Sequence, residues 1–186
     1  MNATALRPIH AIALPEGSVI RTALPGAHYA DAYQTADPCP DASALQAWLD
    51  VVTRTPGWTR ALMALRNKLA RLVGLQDLGQ LDDVHGTPRH PRDAASHRPG
   101  DRVGIFHIRH LSVREVVLGQ DDKHLDVQVS LCKRQEGGQP VVVVSTVVHI
   151  HNTLGHAYMA VVTPFHRLIV RAMLRRLATA SPHAPR

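Results

Sequence analysis

In the stretch 123–132 apolar and polar side chains alternate from His124 to Leu131. Leu125, Val127, Val129 and Leu131 fall on one side, and His124, Asp126, Gln128 and Ser130 on the other. A period of two puts successive side chains on opposite faces of a strand, so one face is core. The other is either solvent or the polar wall of a cavity. The valine-rich run 141–151 reads as a second long strand, and 103–110 and 112–118 as two more. The breaks between them contain Gly119-Gln120-Asp121 and Gly137-Gly138 and are short enough for hairpins, which makes the region an antiparallel meander.

After a turn at 152–155 the period changes from two to that of a helix. Residues 154–178 carry Tyr158, Val161, Val162, Phe165, Ile169, Ala172 and Met173 on one face, with Arg167, Arg171 and Arg175 opposite. Pro164 lies inside this helix and removes the hydrogen bond to the Ala160 carbonyl, so a kink is expected there. His166 flanks the apolar stripe, where it either seals a pocket edge or bonds a carbonyl freed by Pro164.

The first half of the chain is less regular. Residues 19–24 and 29–34 are short extended candidates separated by the turn dipeptide Pro25-Gly26. Asp41 or Ser43 is a suitable N-cap for a helix with Leu45, Trp48, Leu49 and Val52 at helical spacing, broken by Pro56-Gly57. A second helix is expected over 58–73, ending at Gly74, with Arg66 on the flank of its apolar stripe. Residues 75–101 read as a long loop. The whole suggests one domain over 17–180, preceded by a loosely ordered 1–16 and followed by a frayed 181–186.

Composition adds limits rather than a function. A chain of 186 residues has room for one core, and its seven aromatic residues leave aliphatic packing to supply most of the burial energy. Cys39 and Cys132 lie far apart with no CxxC pair, which suggests neither a disulfide framework nor a thiolate zinc site. Neither a signal-peptide pattern nor a membrane-length apolar run is evident, so a cytoplasmic protein is expected. The formal charge of +6 is uneven: residues 51–76 hold five basic side chains and no acid. Such a balance admits an anionic partner, nucleic acid or a membrane surface, although no aromatic platform or nucleic-acid motif accompanies it.

Several segments together resemble the bacterial domain of unknown function 2867 family. They are Tyr29-Ala-Asp-Ala-Tyr33, Leu65-Arg-Asn-Lys-Leu69, Gly100-Asp-Arg-Val-Gly-Ile-Phe106, Asp121-Asp-Lys-His-Leu-Asp126, His151-Asn-Thr-Leu-Gly155 and Pro164-Phe-His-Arg-Leu-Ile-Val170. The resemblance implies the helix-grip (SRPBCC) superfamily, which includes START-like lipid carriers, plant pathogenesis-related proteins and polyketide cyclases. Its expected fold is α+β: an antiparallel sheet wrapped around a long C-terminal helix, with two short helices after the first strand. The element order read from hydropathy agrees, except that five or six strands can be placed where the fold usually has seven. A similar stretch ends certain NAD-binding epimerase-like proteins, but the chain has no Gly-rich phosphate loop, and no cofactor is expected.

The candidate ligand-binding residues are Arg66, Asp122, His124, Asp126, His151, Asn152, Tyr158 and His166. A buried imidazole beside a carboxylate has a pKa tunable towards neutrality, as acid-base catalysis requires. His124, Asp126 and His151 would carry such chemistry in a cyclase, dehydratase or hydrolase. The competing structural reading has Asp122, His124 and Arg66 anchoring helices to sheet. His149 and His151, two positions apart, could present imidazoles to one metal, but two ligands do not make a site and no metal is expected. The leading expectation is non-catalytic binding of a small apolar or amphipathic molecule between sheet and C-terminal helix. An interaction module with basic helices is the third.

Overall fold

The computed structural model describes residues 8–53 and 94–179. Seven strands form one antiparallel sheet within them: β1 (His10–Ile12), β2 (Tyr29–Ala36), β3 (Arg102–Val103), β4 (Phe106–Leu111), β5 (Glu115–Asp121), β6 (Leu125–Glu136) and β7 (Gln139–Ile150). Their spatial order is β1-β2-β7-β6-β5-β4-β3. Among the described residues two α-helices, α1 (Ala44–Thr53) and the long C-terminal α2 (Thr153–Thr179), pack on one face. This is the α+β helix-grip arrangement expected from the sequence. The helix expected over 58–73, with its Arg66, and most of the 75–101 loop lie outside the described residues. No described helix is long and apolar enough to cross a membrane.

Cross-strand pairing assigns the two faces. Leu125 pairs with Ile150, Val127 with Val148, Val129 with Thr146 and Leu131 with Val144, and this inner row looks toward the helices. Val170, Leu174 and Leu177 of α2 and Leu45, Trp48 and Val52 of α1 complete the main core there. Each fully buried aliphatic side chain contributes about 1.5–3 kcal/mol.

The outer face is partly covered too. A 3-10 helix, Val19–Ala23, presses Ile20 onto Val117 and Val147. The valine run therefore does not alternate, because both faces of β7 are buried there. Ser130, on the polar side of β6, is fully buried rather than solvated. Its hydroxyl and that of Ser18 each donate to Glu115 Oε1 at 2.6 Å, and the Val19 amide donates to Oε2 at 2.9 Å.

Three expectations need correction. Residues 19–24 are not extended: the Val19 amide is taken by Glu115, and local bonds from Arg21 to Ser18 and from Leu24 to Arg21 close the turns. The run 103–110 is two strands, since Gly104, at a φ of 61°, turns the chain between β3 and β4. Gly119-Gln120-Asp121 is no break but the end of β5. The Arg109 side chain lies across Gly119, where a Cβ would meet its Nε at 2.9 Å, and pairs with Asp121. The remaining unforeseen strand, β1, lies in the N-terminal stretch without pattern.

The connections before the helices are held by specific bonds. Ser43 is the N-cap of α1, accepting from the Gln46 amide at 3.2 Å. The buried Lys133 ammonium donates to the carbonyls of Cys39, Pro40 and Ala42 and pairs with Asp37 at 3.1 Å, which ties that approach to β6. α2 continues through Pro164.

Candidate functional site

Between the inner face of the sheet and α2 lies a cavity of about 200 Å³. The sheet supplies Leu125, Val127, Val129 and Val148 to its wall, and α2 supplies Val162, Phe165 and Ile169. Five of the six aromatic rings among the described residues line it: Tyr29, Trp48, Phe106, Tyr158 and Phe165. Few aromatics are present, and they are concentrated here.

One side of this apolar wall carries a polar cluster. Asp31 on β2 stands opposite Thr146 on β7, and His166 of α2 lies over both. Tyr29 donates its hydroxyl to Asp31 Oδ2 at 2.5 Å. Nε2 of His166 lies 3.4 Å from Asp31 Oδ1 and 3.2 Å from Thr146 Oγ1. The side chains of Asp31 and His166 are only 13% and 23% exposed. Burial works to raise the Asp31 pKa, but the hydrogen bond and charge of His166, with hydrogen bonds from Tyr29 and Thr146, outweigh it and hold the carboxyl below its usual range. Burial, followed by the bond to Asp31, pushes the Tyr29 phenol well up, so it remains a donor. The exposed Arg167 guanidinium lies 5.8 Å from the Tyr29 ring centre, and Arg171 sits 5.2 Å over Tyr33.

Of the candidates read from the sequence, Tyr158 and His166 line the cavity. The other described ones gather at the β5–β6 turn and the start of α2. Asn152 is the N-cap of α2: its Oδ1 accepts from the Gly155 amide at 3.0 Å, and Nδ2 donates to the Lys123 carbonyl at 3.2 Å. His124 Nδ1 contacts the same Asn152 amide group, and its carbonyl accepts from the His151 amide at 2.9 Å. Asp122 Oδ1 accepts from the His124 amide at 3.2 Å. His151 and Asp126 do form an imidazole-carboxylate pair at 3.0 Å, but with side chains 41% and 35% exposed and outside the cavity lining. His149 bonds the Pro25 carbonyl instead of sharing a centre with His151. Among the described residues no group of three or more His, Cys, Asp or Glu is placed to hold a metal ion.

The likeness to known proteins falls on the same elements. Residues 23–173 match the family described as "Protein of unknown function (DUF2867)". The chain belongs to this family. None of the curated proteins compared with it matches. Among solved structures, CalU16 from Micromonospora echinospora is similar at 12% identity, over 92% of this chain and 89% of that one, with a TM-score of 0.29. A likeness that distant carries no argument, and the helix-grip assignment rests on the strand order and helix placement described above.

Two of the DUF2867 stretches, Asp121 to Asp126 and His151 to Gly155, are thus the interlocked turn and helix cap. A third, Tyr29-Ala-Asp-Ala-Tyr33, contains the carboxylate of the polar cluster. Reading the chain by composition and period passed over Asp31, Thr146 and the inward-facing Tyr29. The signal available was that motif: odd positions Tyr29, Asp31 and Tyr33 share one face of a strand, and Asp31 is the charged one among them.

Proposed function

We propose that this protein binds a small, predominantly apolar molecule in the cavity between the sheet and α2, with Tyr158 and His166 among the residues that touch it. The observation that carries the reading is the wall itself, aliphatic and aromatic on nearly every side with polar groups confined to a few positions, as in small-molecule sites generally. Size narrows the ligand. An apolar cavity of about 150 Å³ holds a benzene molecule, so a space of about 200 Å³ suits a single substituted ring or a short branched chain.

The test is thermal unfolding with and without monocyclic hydrocarbons such as ethylbenzene. A ligand at about 100 times its Kd adds about 2.7 kcal/mol to the folded state, which a midpoint shift reads directly. The wild-type protein is expected to gain stability. Val127→Phe, which places a ring in the space from the β6 side, is expected to fold and to lose that response. Equal responses in both proteins would place binding elsewhere and remove the proposal.

A further inference from the structure

α2 has two unlike faces. The inward one lines the cavity, whereas the outward one combines arginines with apolar side chains and holds no acid. Arg167, Arg171, Arg175 and Arg176 are all exposed, and no Asp or Glu follows Glu136 anywhere in the chain. From the sheet, Asp31 of β2 acts on Arg167, but its side chain is only 13% exposed and already accepts from the Tyr29 hydroxyl. The outward face is therefore positive without a matching carboxylate on α2 itself.

Two large apolar side chains share that face. Val161 is 45% and Leu168 58% exposed. Two helical turns separate them, roughly 10.5 Å at about 1.5 Å per residue, and the exposed Pro164 lies between them on the same side. Arg171 follows Leu168 at a spacing of three and Arg175 follows Arg171 at four, so the arginines continue the same row. A single exposed leucine is ordinary, but valine, proline and leucine in line with arginines make an amphipathic strip. The Arg167 and Arg171 guanidiniums lie 5.8 Å and 5.2 Å from the ring centres of Tyr29 and Tyr33. Held in this way, they lose less freedom on meeting phosphate oxygens, which a guanidinium can grip with two parallel bonds.

We infer that the outward face of α2 docks on an anionic phospholipid surface, with Val161 and Leu168 entering the headgroup boundary and the arginines pairing with lipid phosphates. Exposed aliphatic side chains gain nothing from a nucleic-acid backbone, and the face offers no exposed Phe, Tyr or Trp on which bases could stack. In an isologous pair of copies the same acid-free patch would meet itself and find no counter-charge. The helix lies on the bilayer rather than crossing it, since no described helix is long and apolar enough to span. Val161 also lines the cavity, so docking brings one wall of the cavity against the bilayer, where apolar molecules of the class proposed above concentrate.

Co-sedimentation of the full chain with phosphatidylcholine vesicles, with and without phosphatidylglycerol, tests this at low and high salt. No cavity ligand is needed, so its outcome is separate from that of the binding test above. The protein is expected to sediment with the phosphatidylglycerol vesicles, less so as salt rises, and to stay in solution with phosphatidylcholine alone. Arg171→Gln with Arg175→Gln is expected to lower partitioning more than tenfold, at roughly fivefold for each arginine near an anionic leaflet. Leu168→Ser, outside the cavity lining, is expected to lower it as well. Failure to bind phosphatidylglycerol vesicles, or equal binding to phosphatidylcholine, overturns the inference. So does a Leu168→Ser variant that binds like wild type, since the face would then act through charge alone, and so does a dimer in gel filtration that Leu168→Ser dissociates. Tighter binding to an oligonucleotide than to the vesicles in the same buffer would assign the face to nucleic acid and overturn it too. Should a variant not fold, the wild-type comparison of the two vesicle types decides.

Discussion

His166 on α2 holds its Nε2 3.4 Å from Oδ1 of Asp31 on β2, across 135 positions of sequence, and so couples the helix to the sheet beside the cavity. The interactions that keep the Asp31 carboxyl below its usual range stabilise the folded state. For a depressed acid, that contribution is complete above the ordinary aspartate pKa of about 4 and is lost as pH falls through the lower folded value. Asp31→Asn should therefore cost about 1.5–3 kcal/mol near neutrality, the range for hydrogen bonds to a charged group. The difference from wild type should shrink below about pH 4. Urea unfolding across pH checks this, and a difference independent of pH would contradict it.

Gly155, in the first turn of α2, lies against the β5–β6 turn so closely that a Cβ would come within 2.4 Å of the His124 carbonyl oxygen and 2.7 Å of Ile150 Cγ2. Alanine is the better helix former by about 1 kcal/mol, but the obstacle is backbone that cannot rotate away. Overpacking of this kind costs about 1–3 kcal/mol. Gly155→Ala should lower the thermal midpoint, and a raised midpoint would show that the turn yields.

Lys133 and Asp37 form a buried ion pair at 3.1 Å, and the ammonium also serves three carbonyls before α1. Removing one partner leaves an uncompensated buried charge, worth about 3–5 kcal/mol. Lys133→Met should lose that much in denaturant unfolding. The double variant with Asp37→Asn should lose clearly less than the sum of the two single losses, and strict additivity would mean that the pair is not coupled.

Burial, with the Glu115 charge as the second cause, pushes the Cys132 thiol up to about 11. Only the thiolate is alkylated at an appreciable rate. At pH 8 iodoacetamide should label Cys132 far more slowly in the folded protein than in urea, as followed by mass spectrometry. Equal rates would count against this environment.

What could be read in the sequence was whatever repeats locally. The alternation of Leu125 to Leu131 marked the inner face of β6, and the stripe from Tyr158 to Met173 marked the face of α2 that meets it. Tyr158 and His166 were found in this way, because a helix carries its neighbours at fixed spacing. Residues 19–24 were misread because Glu115, 96 positions from Val19, takes its amide, and no local pattern announces that. Gly119 looked like a turn because its partner is the Arg109 side chain on the next strand. Asp31 and Thr146 meet only through the register of β2 on β7. Thr146 sits inside a valine run and Asp31 in a strand whose alanines blur its two faces, so their cluster depends on tertiary pairing. His124, Asp126, His151 and Asn152 gather in space through the pairing of β6 with β7, which no local pattern announces, and they do so around the cap of α2 rather than on the cavity wall.

A crystal structure of the protein grown with para-ethylphenol tests the central claim most directly. The ring is predicted between Val127, Val148 and Phe165. A cavity closed by its own side chains, or a ring bound only on the outer surface, would contradict it.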